Sequence, residues 1–494
     1  MKFIRRFFKL EENKTNIRTE IIAGIITFIA MVYILPVNAS ILSDMGMSQA
    51  GVFAMTAFVT CLVTLIMGLV ANYPIVLSAG MGLNAFLAYT LSSSLGFESW
   101  QQKMILLTIA GLIFFLFSLT PVRKRIIEAI PANLRHAISA SLGAFIAFVG
   151  LQGAGVIVAD GATLVTLGSL ADPAVVIALM SILLCLGLMF VKKPIVKSLA
   201  IPISIAFAAV LGLIVSEVLI HSGGLIETDG VWTYNTGISI IDNSAVNIPI
   251  TSWHANIKFG LSGVEDVLLY GIFSDSYSGT NLGNDLVYIL SMPTTYIAIF
   301  SLIFVNLFDT TATLIAVGDK TGIIDKNGKM KNYQKAVLAD ATGALICGPL
   351  GTSTVTSFVE SNVGVSYGGR TGLMAVTSAI FFLLSAFIYP IFSFFTAGCI
   401  TAAALVGVGL VIISGALRDF ERGDLISVFT ALITIIFALL SYSISTGISI
   451  GLLSYVVMML INKKGKQITA PIYIITIFSL IATFLQAWLP MLGR

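Results

Sequence analysis

Long apolar runs alternate along the chain with short polar or charged segments, and each run has about the length of one membrane crossing. Uncharged stretches of roughly 20 residues recur from residue 21 to residue 489, and a helix of roughly 20 residues spans the hydrocarbon core of a bilayer. The pattern therefore predicts an all-α polytopic membrane protein. The predicted spans lie at about 21-43, 52-72, 78-93, 103-122, 133-152, 172-191, 199-219, 297-317, 336-349, 352-368, 371-390, 399-416, 424-442, 445-461 and 468-489.

The composition agrees with this interpretation. Of the 494 residues, 57% are apolar and 10% are charged, and the mean hydropathy is +0.99, whereas soluble chains carry about 25% charged residues. A soluble globular protein is excluded. The first run, 21-43, is long enough to span and no small-residue cleavage site follows it, so we expect it to remain as a helix rather than to be removed as a signal peptide.

Several classes of partner and cofactor are not expected. The net charge of +3 is too small to indicate a nucleic-acid partner. The sequence contains no nucleotide-binding P-loop, so ATP is not expected to drive a transport cycle, and no cofactor is predicted. The cysteines lie singly in apolar segments, which indicates neither a disulfide framework nor a metal site. They are Cys61, Cys185, Cys347 and Cys399.

The positive charges predict how the chain is threaded. With a cytoplasmic N-terminus and alternating crossings, all but three of the 27 lysines and arginines fall on the cytoplasmic side, as the positive-inside rule requires. Seven spans precede the long polar interval 220-296, which we expect to be an extracytoplasmic loop, so the spans after it run inverted. The count predicts a 7+7 inverted repeat of about 14 transmembrane segments. Segment 468-489 is surplus to it, as a fifteenth crossing, an interfacial helix or a sign that 424-461 is divided differently.

One pair of motifs supports the repeat. A glycine stands six residues before a proline at the end of the second span, Gly68, and at the end of the ninth, Gly343. Each proline leads into a short element rich in Gly, Ser and Thr, at 78-93 and at 352-368. Such elements are typical of broken helices with extended lead-ins. The binding site is therefore predicted between them.

Three carboxylates at membrane depth, Asp309, Asp340 and Glu360, are candidate functional residues, because a charge there is costly unless it faces the protein interior or a wet cavity. Glu360 can accept two hydrogen bonds in one plane, which suits a planar ligand with adjacent N–H donors, such as a nucleobase. The alternative is a carboxylate bound by backbone N–H groups at the start of a half-helix. Phe358 could stack on a planar base or simply pack.

The other two carboxylates have several possible roles. Asp309 lies among hydroxyl and amide side chains, so it could exchange a proton during transport, bind substrate directly, or bridge to a neighbouring helix. Asp340 lies nearer the cytoplasmic end of its span and closer to water, where a structural role and a proton-relay role fit equally. Since no Lys or Arg lies mid-span, the substrate is expected to be an N–H donor or a cation rather than an anion.

Four stretches of the sequence resemble the AzgA-like branch of the nucleobase-ascorbate transporter superfamily, also called nucleobase:cation symporter-2. They are 24-34 (GIITFIAMVYI), 79-86 (AGMGLNAF), 308-313 (FDTTAT) and 351-361 (GTSTVTSFVES). The resemblance runs from about residue 10 to 462 and implies proton-coupled uptake of adenine, guanine or hypoxanthine. It implies that the family's base-binding glutamate is Glu360, its eighth-span acidic residue Asp309 and its third-span polar residue Asn84. Within the matching motifs, the predicted substrate site also includes Ala79, Gly80, Thr310, Phe358 and Ser361.

The same resemblance implies a division into a core and a gate domain and a homodimer formed through gate elements. The core is expected from spans one to four and eight to eleven, at 21-122 and 297-390. The gate is expected at 133-219 and 399-494, with a cytoplasmic N-terminus at 1-20 and the loop at 220-296 outside. This interpretation predicts a multi-pass protein of the cell membrane.

The leading hypothesis is a proton/purine symporter in which Glu360 binds the base, Asn84 and the two short elements complete the site, and Asp309 and Asp340 couple the proton. The alternative is a transporter of the same fold for another nucleobase, such as xanthine, uric acid or uracil, or for another small solute. Sodium remains an alternative to the proton. A channel or a membrane enzyme is disfavoured, because the sequence contains no repeated filter, no metal cluster and no nucleophile with a base partner.

Overall fold

The computed structural model describes most of the membrane-embedded chain. The described residues are 2–91, 97, 99–120, 132–161, 163–193, 196–197, 199–222, 225–228, 231–234, 264–268, 282–321, 331–358, 360–389, 395, 397–418, 425–441, 444–470, 472–473, 476–477 and 480. Much of the predicted loop 220-296 and of the surplus segment 468-489 lies outside them.

Within the described residues, the first half of the chain forms nine helices between its start and the long loop. They are α1 (Lys2–Phe7), α2 (Ile17–Met31), α3 (Ile34–Ser43), α4 (Gln49–Ile66, extended by a π-turn Met67–Ala71), α5 (Met81–Ala85, extended by a π-turn Phe86–Thr90), α6 (Trp100–Leu119), α7 (Ala132–Gly153), α8 (Pro173–Met189) and α9 (Ala200–His221).

The second half begins inside the long loop and repeats the pattern. Its helices are α10 (Val264–Val267), α11 (Leu282–Ser291), α12 (Pro293–Thr321), α13 (Tyr333–Ile346), α14 (Ser361–Ser366), α15 (Gly372–Ser385), α16 (Gly398–Arg418), α17 (Leu425–Leu440) and α18 (Ile444–Ile461). A helix lies within each span predicted from 21-43 to 445-461. Within the described part, six helical stretches are long and apolar enough for a full crossing by themselves.

The first predicted span is one crossing made of two helices. The break lies at Val32 and Tyr33, between α2 and α3. Pro36 explains it, because proline has no N–H to donate to the carbonyl of Val32 four residues earlier and its ring crowds that carbonyl. The break was not predicted, and it brings the side chain of Tyr33 into the middle of the protein.

Besides the helices of the predicted all-α fold, the described residues form short antiparallel strand pairs. Strands β1 (Leu77–Ala79) and β6 (Val355–Ser357) pair with each other although they belong to opposite halves of the chain. Two hairpins, β2 (Ile157–Asp160) with β3 (Leu164–Leu167) and β4 (Leu225–Thr228) with β5 (Val231–Tyr234), join successive segments. The extended lead-ins predicted before both short helices are therefore strands.

The helices pack in two groups. The first group comprises α2 to α6 and α12 to α15, and the second comprises α7 to α9 and α16 to α18. Loop helix α10 packs on α4 of the first group, where the carbonyl of Val267 lies against Gly351. The first group contains the segments assigned to the core, and the second contains those assigned to the gate. The domain boundaries stay predictions, because a core and a gate are defined by how they move relative to each other.

Glycines allow close contact within the first group. A Cβ atom on Gly111 of α6 would lie 2.0 Å from the backbone oxygen of Ala344 on α13. We expect Gly111→Ala to destabilise the protein by about 1–3 kcal/mol, the usual cost of overpacking a tight core. The measurement is the midpoint of thermal unfolding of the purified protein in detergent.

The matched control is Gly187→Ala on α8, where a Cβ would meet nothing within 4 Å. Alanine is the better helix former by about 1 kcal/mol, so this variant should keep or raise the midpoint. Equal midpoints for the two variants would contradict the close α6–α13 contact.

Candidate functional site

The centre of the molecule is the crossing of two extended segments. Strands β1 and β6 run antiparallel, with Ser78 opposite Thr356. Two backbone hydrogen bonds continue the ladder beyond the strands, from Gly80 N to Thr354 O at 2.9 Å and from Phe358 N to Val76 O at 3.0 Å. This pairing satisfies backbone groups that neither helix could satisfy at membrane depth.

A short helix begins at the end of each strand. Helix α5 starts at Met81 directly after β1, and α14 starts at Ser361 soon after β6. Glu360 occupies the N-cap position of α14, where the positive end of the helix dipole favours a negative charge. The Ser361 hydroxyl accepts a hydrogen bond from Val76 N at 3.0 Å, which ties the start of α14 to the lead-in of the first half.

A hydrogen bond also fixes the far end of the first short helix. The hydroxyl of Tyr89, in the π-turn that continues α5, donates to Asp44 Oδ2 at 2.7 Å. Asp44 follows α3, outside the first span. Burial raises the pKa of the Asp44 carboxyl, while the Tyr89 hydrogen bond partly offsets this.

A cavity of about 470 Å³, part of it open to solvent, lies beside the strand crossing and between the two helix groups. Its two walls differ in chemistry. The first helix group contributes Gly80, Met81, Thr313, Thr356, Ser357, Phe358 and Glu360. The second group contributes only aliphatic side chains among the described lining residues: Leu142, Ile146, Val408, Val411 and Ile412.

Among the described lining residues of the cavity, Glu360 is the one that carries a charge. Its Oε1 accepts a hydrogen bond from the hydroxyl of Tyr33 at 3.1 Å. Tyr33 is 3% exposed, whereas Glu360 is partly exposed toward the cavity. Sequence reasoning missed Tyr33; the signal that could have found it is Pro36, which predicts a break of the helix at this depth.

Phe358 and Gly80 shape the cavity next to Glu360. The Phe358 ring lines the cavity and is otherwise buried. Gly80 leaves room for Thr356, since a Cβ atom on residue 80 would lie 2.8 Å from Thr356 Cγ2. Ala79 is buried and pairs with Val355 in the strand ladder, so it supports the cavity through its backbone.

A chain of hydroxyl groups leads from the cavity to the buried carboxylate of Asp340. Thr310 Oγ1 donates to Asp340 Oδ1 at 2.7 Å and lies 3.1 Å from Thr356 Oγ1, which lines the cavity. The expectation that Asp340 is close to water is wrong, because its side chain is fully buried. The side chain of Asp309 lies outside the described part of the structure.

Asn84 belongs to a second polar cluster. Its Oδ1 accepts a hydrogen bond from the Ser353 hydroxyl, which also lies 3.2 Å from Asn38 Oδ1. Asn38 in turn donates to Thr56 at 2.7 Å and to Thr352 at 3.1 Å. All five side chains are buried. Asn84 is absent from the described lining of the cavity. Its bond to Ser353 joins α5 to the lead-in of β6, and its Nδ2 is buried without a partner among the described residues.

Two hydroxyl groups on the cavity wall are available to a ligand. Thr313 Oγ1 and Ser357 Oγ are buried and have no hydrogen-bond partner within the part of the chain that the structure describes. Buried polar atoms are normally paired. With Glu360 they offer both donors and acceptors on one wall, and the described lining contains neither Lys nor Arg.

The arrangement suits binding rather than chemistry. A carboxylate, hydroxyl groups and an aromatic ring face aliphatic side chains across the cavity, which fits a flat molecule with N–H groups on its edge. Among the described residues, no group of three or more His, Cys, Asp or Glu side chains could hold a metal ion.

Comparison with known proteins places the chain among membrane permeases. The sequence profile of the Permease family Xan_ur_permease matches residues 18–450. The guanine/hypoxanthine permease PbuO of Bacillus subtilis (strain 168) is 35% identical over 480 residues, which cover 97% of this chain and 100% of that protein. The adenine permease AdeP of Escherichia coli (strain K12) is 32% identical over 98% of this chain and 97% of that protein.

A solved structure with little sequence identity shares the fold. The transmembrane domain of the cyanobacterial bicarbonate transporter BicA matches with a TM-score of 0.56 and 13% identity, over 86% of this chain and 97% of that one. This is the fold of a 7+7 inverted-repeat membrane transporter, and the predicted fold class is confirmed.

The cluster around Asn84 gives a stability prediction. Ser353→Ala would leave the buried Asn84 Oδ1 without the Ser353 donor, which costs about 1–3 kcal/mol for a buried acceptor. The midpoint of thermal unfolding in detergent should therefore fall. The matched control is Ser385→Ala on α15, because Ser385 is equally buried but, within the described part of the chain, bonds only the carbonyl of Phe382 in its own helix. A Ser353→Ala midpoint no lower than that of the control would contradict this role of the cluster.

Proposed function

The chain belongs to this permease family, a family of multi-pass membrane transporters rather than enzymes, and we propose that it imports purine nucleobases together with protons across the cell membrane. Hypoxanthine, guanine and adenine are the proposed substrates. The single observation that carries the proposal is Glu360, a carboxylate facing a cavity between two helix groups. The relatives named for guanine, hypoxanthine and adenine support the choice of substrate.

The two walls of the cavity suit a purine. Purines present ring N–H and exocyclic groups along their edges and two flat apolar faces. The Glu360 carboxylate accepts N–H donors, and Ser357 and Thr313 can bond carbonyl or ring nitrogen acceptors. The ring of Phe358 can stack on one face, and aliphatic side chains such as Ile146 can cover the remaining apolar surface.

The position of the cavity suits an alternating-access cycle. Among the described lining residues, the polar wall belongs to the first helix group and the aliphatic wall to the second. Relative movement of the two groups would therefore carry a bound molecule from one side of the membrane to the other. The concentration of lysines and arginines in alternate loops supports a cytoplasmic N-terminus. The family resemblance supports a homodimer formed through the second helix group.

The hydroxyl chain supports the choice of the proton. Asp340 is a fully buried carboxylate in contact with Thr310, and ionisable groups inside the membrane commonly serve proton transfer. Thr356 connects this pair to the cavity wall. We therefore assign proton coupling to Asp340 together with Asp309. Asp309 directly precedes Thr310 and lies on the same helix as Thr310, α12.

Uptake of labelled hypoxanthine by cells that lack their own purine permeases tests the substrate. We expect saturable uptake that adenine or guanine inhibits and that a protonophore abolishes. Glu360→Gln should reduce uptake at low substrate concentration about 100-fold or more, because hydrogen bonds to a charged group contribute about 1.5–3 kcal/mol each. Inhibition by xanthine, uric acid or uracil with none by adenine or guanine would favour another nucleobase as the preferred substrate.

The matched control for this experiment is Glu217→Gln. Glu217 lies near the end of α9, exposed and paired with His221, so its loss should leave uptake unchanged. Normal hypoxanthine uptake by a well-expressed Glu360→Gln protein would contradict the proposed binding role.

Thr310→Val tests the hydroxyl chain without changing the shape of the side chain. It removes the link from Asp340 to Thr356, so accumulation driven by a proton gradient should fall at least tenfold. Exchange of labelled for unlabelled base at equilibrium, which needs no net proton movement, should persist. The control is Thr430→Val, since among the described residues the buried Thr430 hydroxyl bonds only Ile426 O in its own helix. Wild-type accumulation by Thr310→Val would rule out this proton path.

A further inference from the structure

Tyr33 stands where the first span breaks. Its hydroxyl donates to Glu360 Oε1 at 3.1 Å, and the rest of the side chain is buried. Tyr33 is absent from the described lining of the cavity. The described lining thus offers a ligand the Glu360 carboxylate and not Tyr33, and the Tyr33 hydroxyl bonds that carboxylate.

We propose that Tyr33 is the positioning residue of Glu360: its hydroxyl fixes the plane of the carboxylate so that the remaining acceptor positions face the cavity before a base arrives. The proposal rests on the proposed function only in taking Glu360 as the group that binds substrate. It adds a determinant of affinity from the first half of the chain to a binding residue of the second.

The acceptor capacity of a carboxylate makes this arrangement compatible with substrate binding. An ionised carboxylate has about four lone-pair positions on its two oxygens. Tyr33 uses one of them, on Oε1. Oε2 and the other position on Oε1 stay available to two adjacent N–H groups of a flat base. Tyr33 and a base can thus bind the same carboxylate at the same time.

A second contact fixes the position of Tyr33 relative to Glu360. Helix α14, which begins after Glu360, lies directly on α2, which ends before Tyr33. A Cβ atom on Gly364 would lie 2.1 Å from Thr27 Oγ1 and 2.6 Å from the backbone oxygen of Ala23. Close backbone contact of this kind leaves little freedom for the two elements to move apart. The Tyr33 hydroxyl is consequently held at a constant place relative to the Glu360 backbone.

Pre-ordering of the carboxylate predicts a particular kinetic signature. A Glu side chain that is free to rotate must lose that freedom when substrate binds, which weakens binding. A side chain that Tyr33 has already ordered loses little. Loss of the hydroxyl should therefore raise KM and leave the maximal rate nearly unchanged, whereas general misfolding would lower the amount of active protein and hence the maximal rate.

Tyr33→Phe removes the hydroxyl and keeps the ring, and Tyr389→Phe is its matched control. The Tyr389 hydroxyl donates to Gln49 Oε1, also at 3.1 Å and also partly buried, but it lies away from the cavity. We expect KM for the transported base to rise about tenfold in Tyr33→Phe, with a maximal rate within twofold of wild type. Tyr389→Phe should show neither change. An unchanged KM in Tyr33→Phe, or an equal rise in both variants, would overturn the proposal.

A double-variant cycle separates positioning from an independent effect. In the Glu360→Gln background, Tyr33→Phe should change the binding affinity for the base, read from the ligand-induced shift in thermal midpoint, by less than twofold. Fully additive effects of the two changes would show that Tyr33 acts without Glu360 and would overturn the proposal.

A measurement without any base keeps this inference distinct from the proposed function. The infrared carboxyl stretching band that disappears in Glu360→Gln should shift in Tyr33→Phe and not in Tyr389→Phe. If wild-type protein transported none of the purines and the band still shifted, the proposed function would fail while the positioning contact stood. An unshifted band in Tyr33→Phe would overturn the contact itself.

Discussion

Backbone N–H and carbonyl groups cannot stay unpaired within the hydrocarbon of a membrane, and the short pairing of β1 with β6 is how this chain interrupts two helices there. Each strand supplies the partner that the other needs, so neither extended segment can exist without its counterpart. The cavity, the starts of α5 and α14, and the position of Glu360 all depend on this pairing. It also explains why the two repeats form one body at the centre of the molecule.

Buried polar clusters secure the crossing from both sides. One joins Asn84, Ser353 and Asn38, and the other joins Thr310, Asp340 and Thr356. Each connects segments that are far apart in the sequence and close in space. A polar group buried in hydrocarbon without a partner is costly, so these clusters favour one relative placement of their segments where apolar packing alone would tolerate several.

The sequence predicts the spans, the two short elements and the carboxylate at the cavity, because hydropathy, glycine content and isolated charges are properties of consecutive residues. It does not predict which hydroxyl faces which partner. In the sequence, Tyr33 is one more amphipathic residue in an apolar run. Its role depends on Glu360, which lies more than 300 positions away. Likewise, no local pattern singles out Ser353, the serine that donates a hydrogen bond to the amide oxygen of Asn84; the substrate-binding role of Asn84 stays a prediction. The hairpins were missed because their strands are only four residues long.

The aliphatic wall of the cavity has a consequence for the energy of the transport step. Side chains such as Leu142 and Val408 make no directional bonds, so their attraction to a neighbour changes gradually as that neighbour slides past. Every hydrogen bond that the described lining offers a substrate comes from the opposite wall. In the proposed cycle a bound molecule would therefore keep its hydrogen bonds throughout its passage. The contact between the two helix groups, rather than how tightly the cargo is held, would then set the height of the translocation barrier.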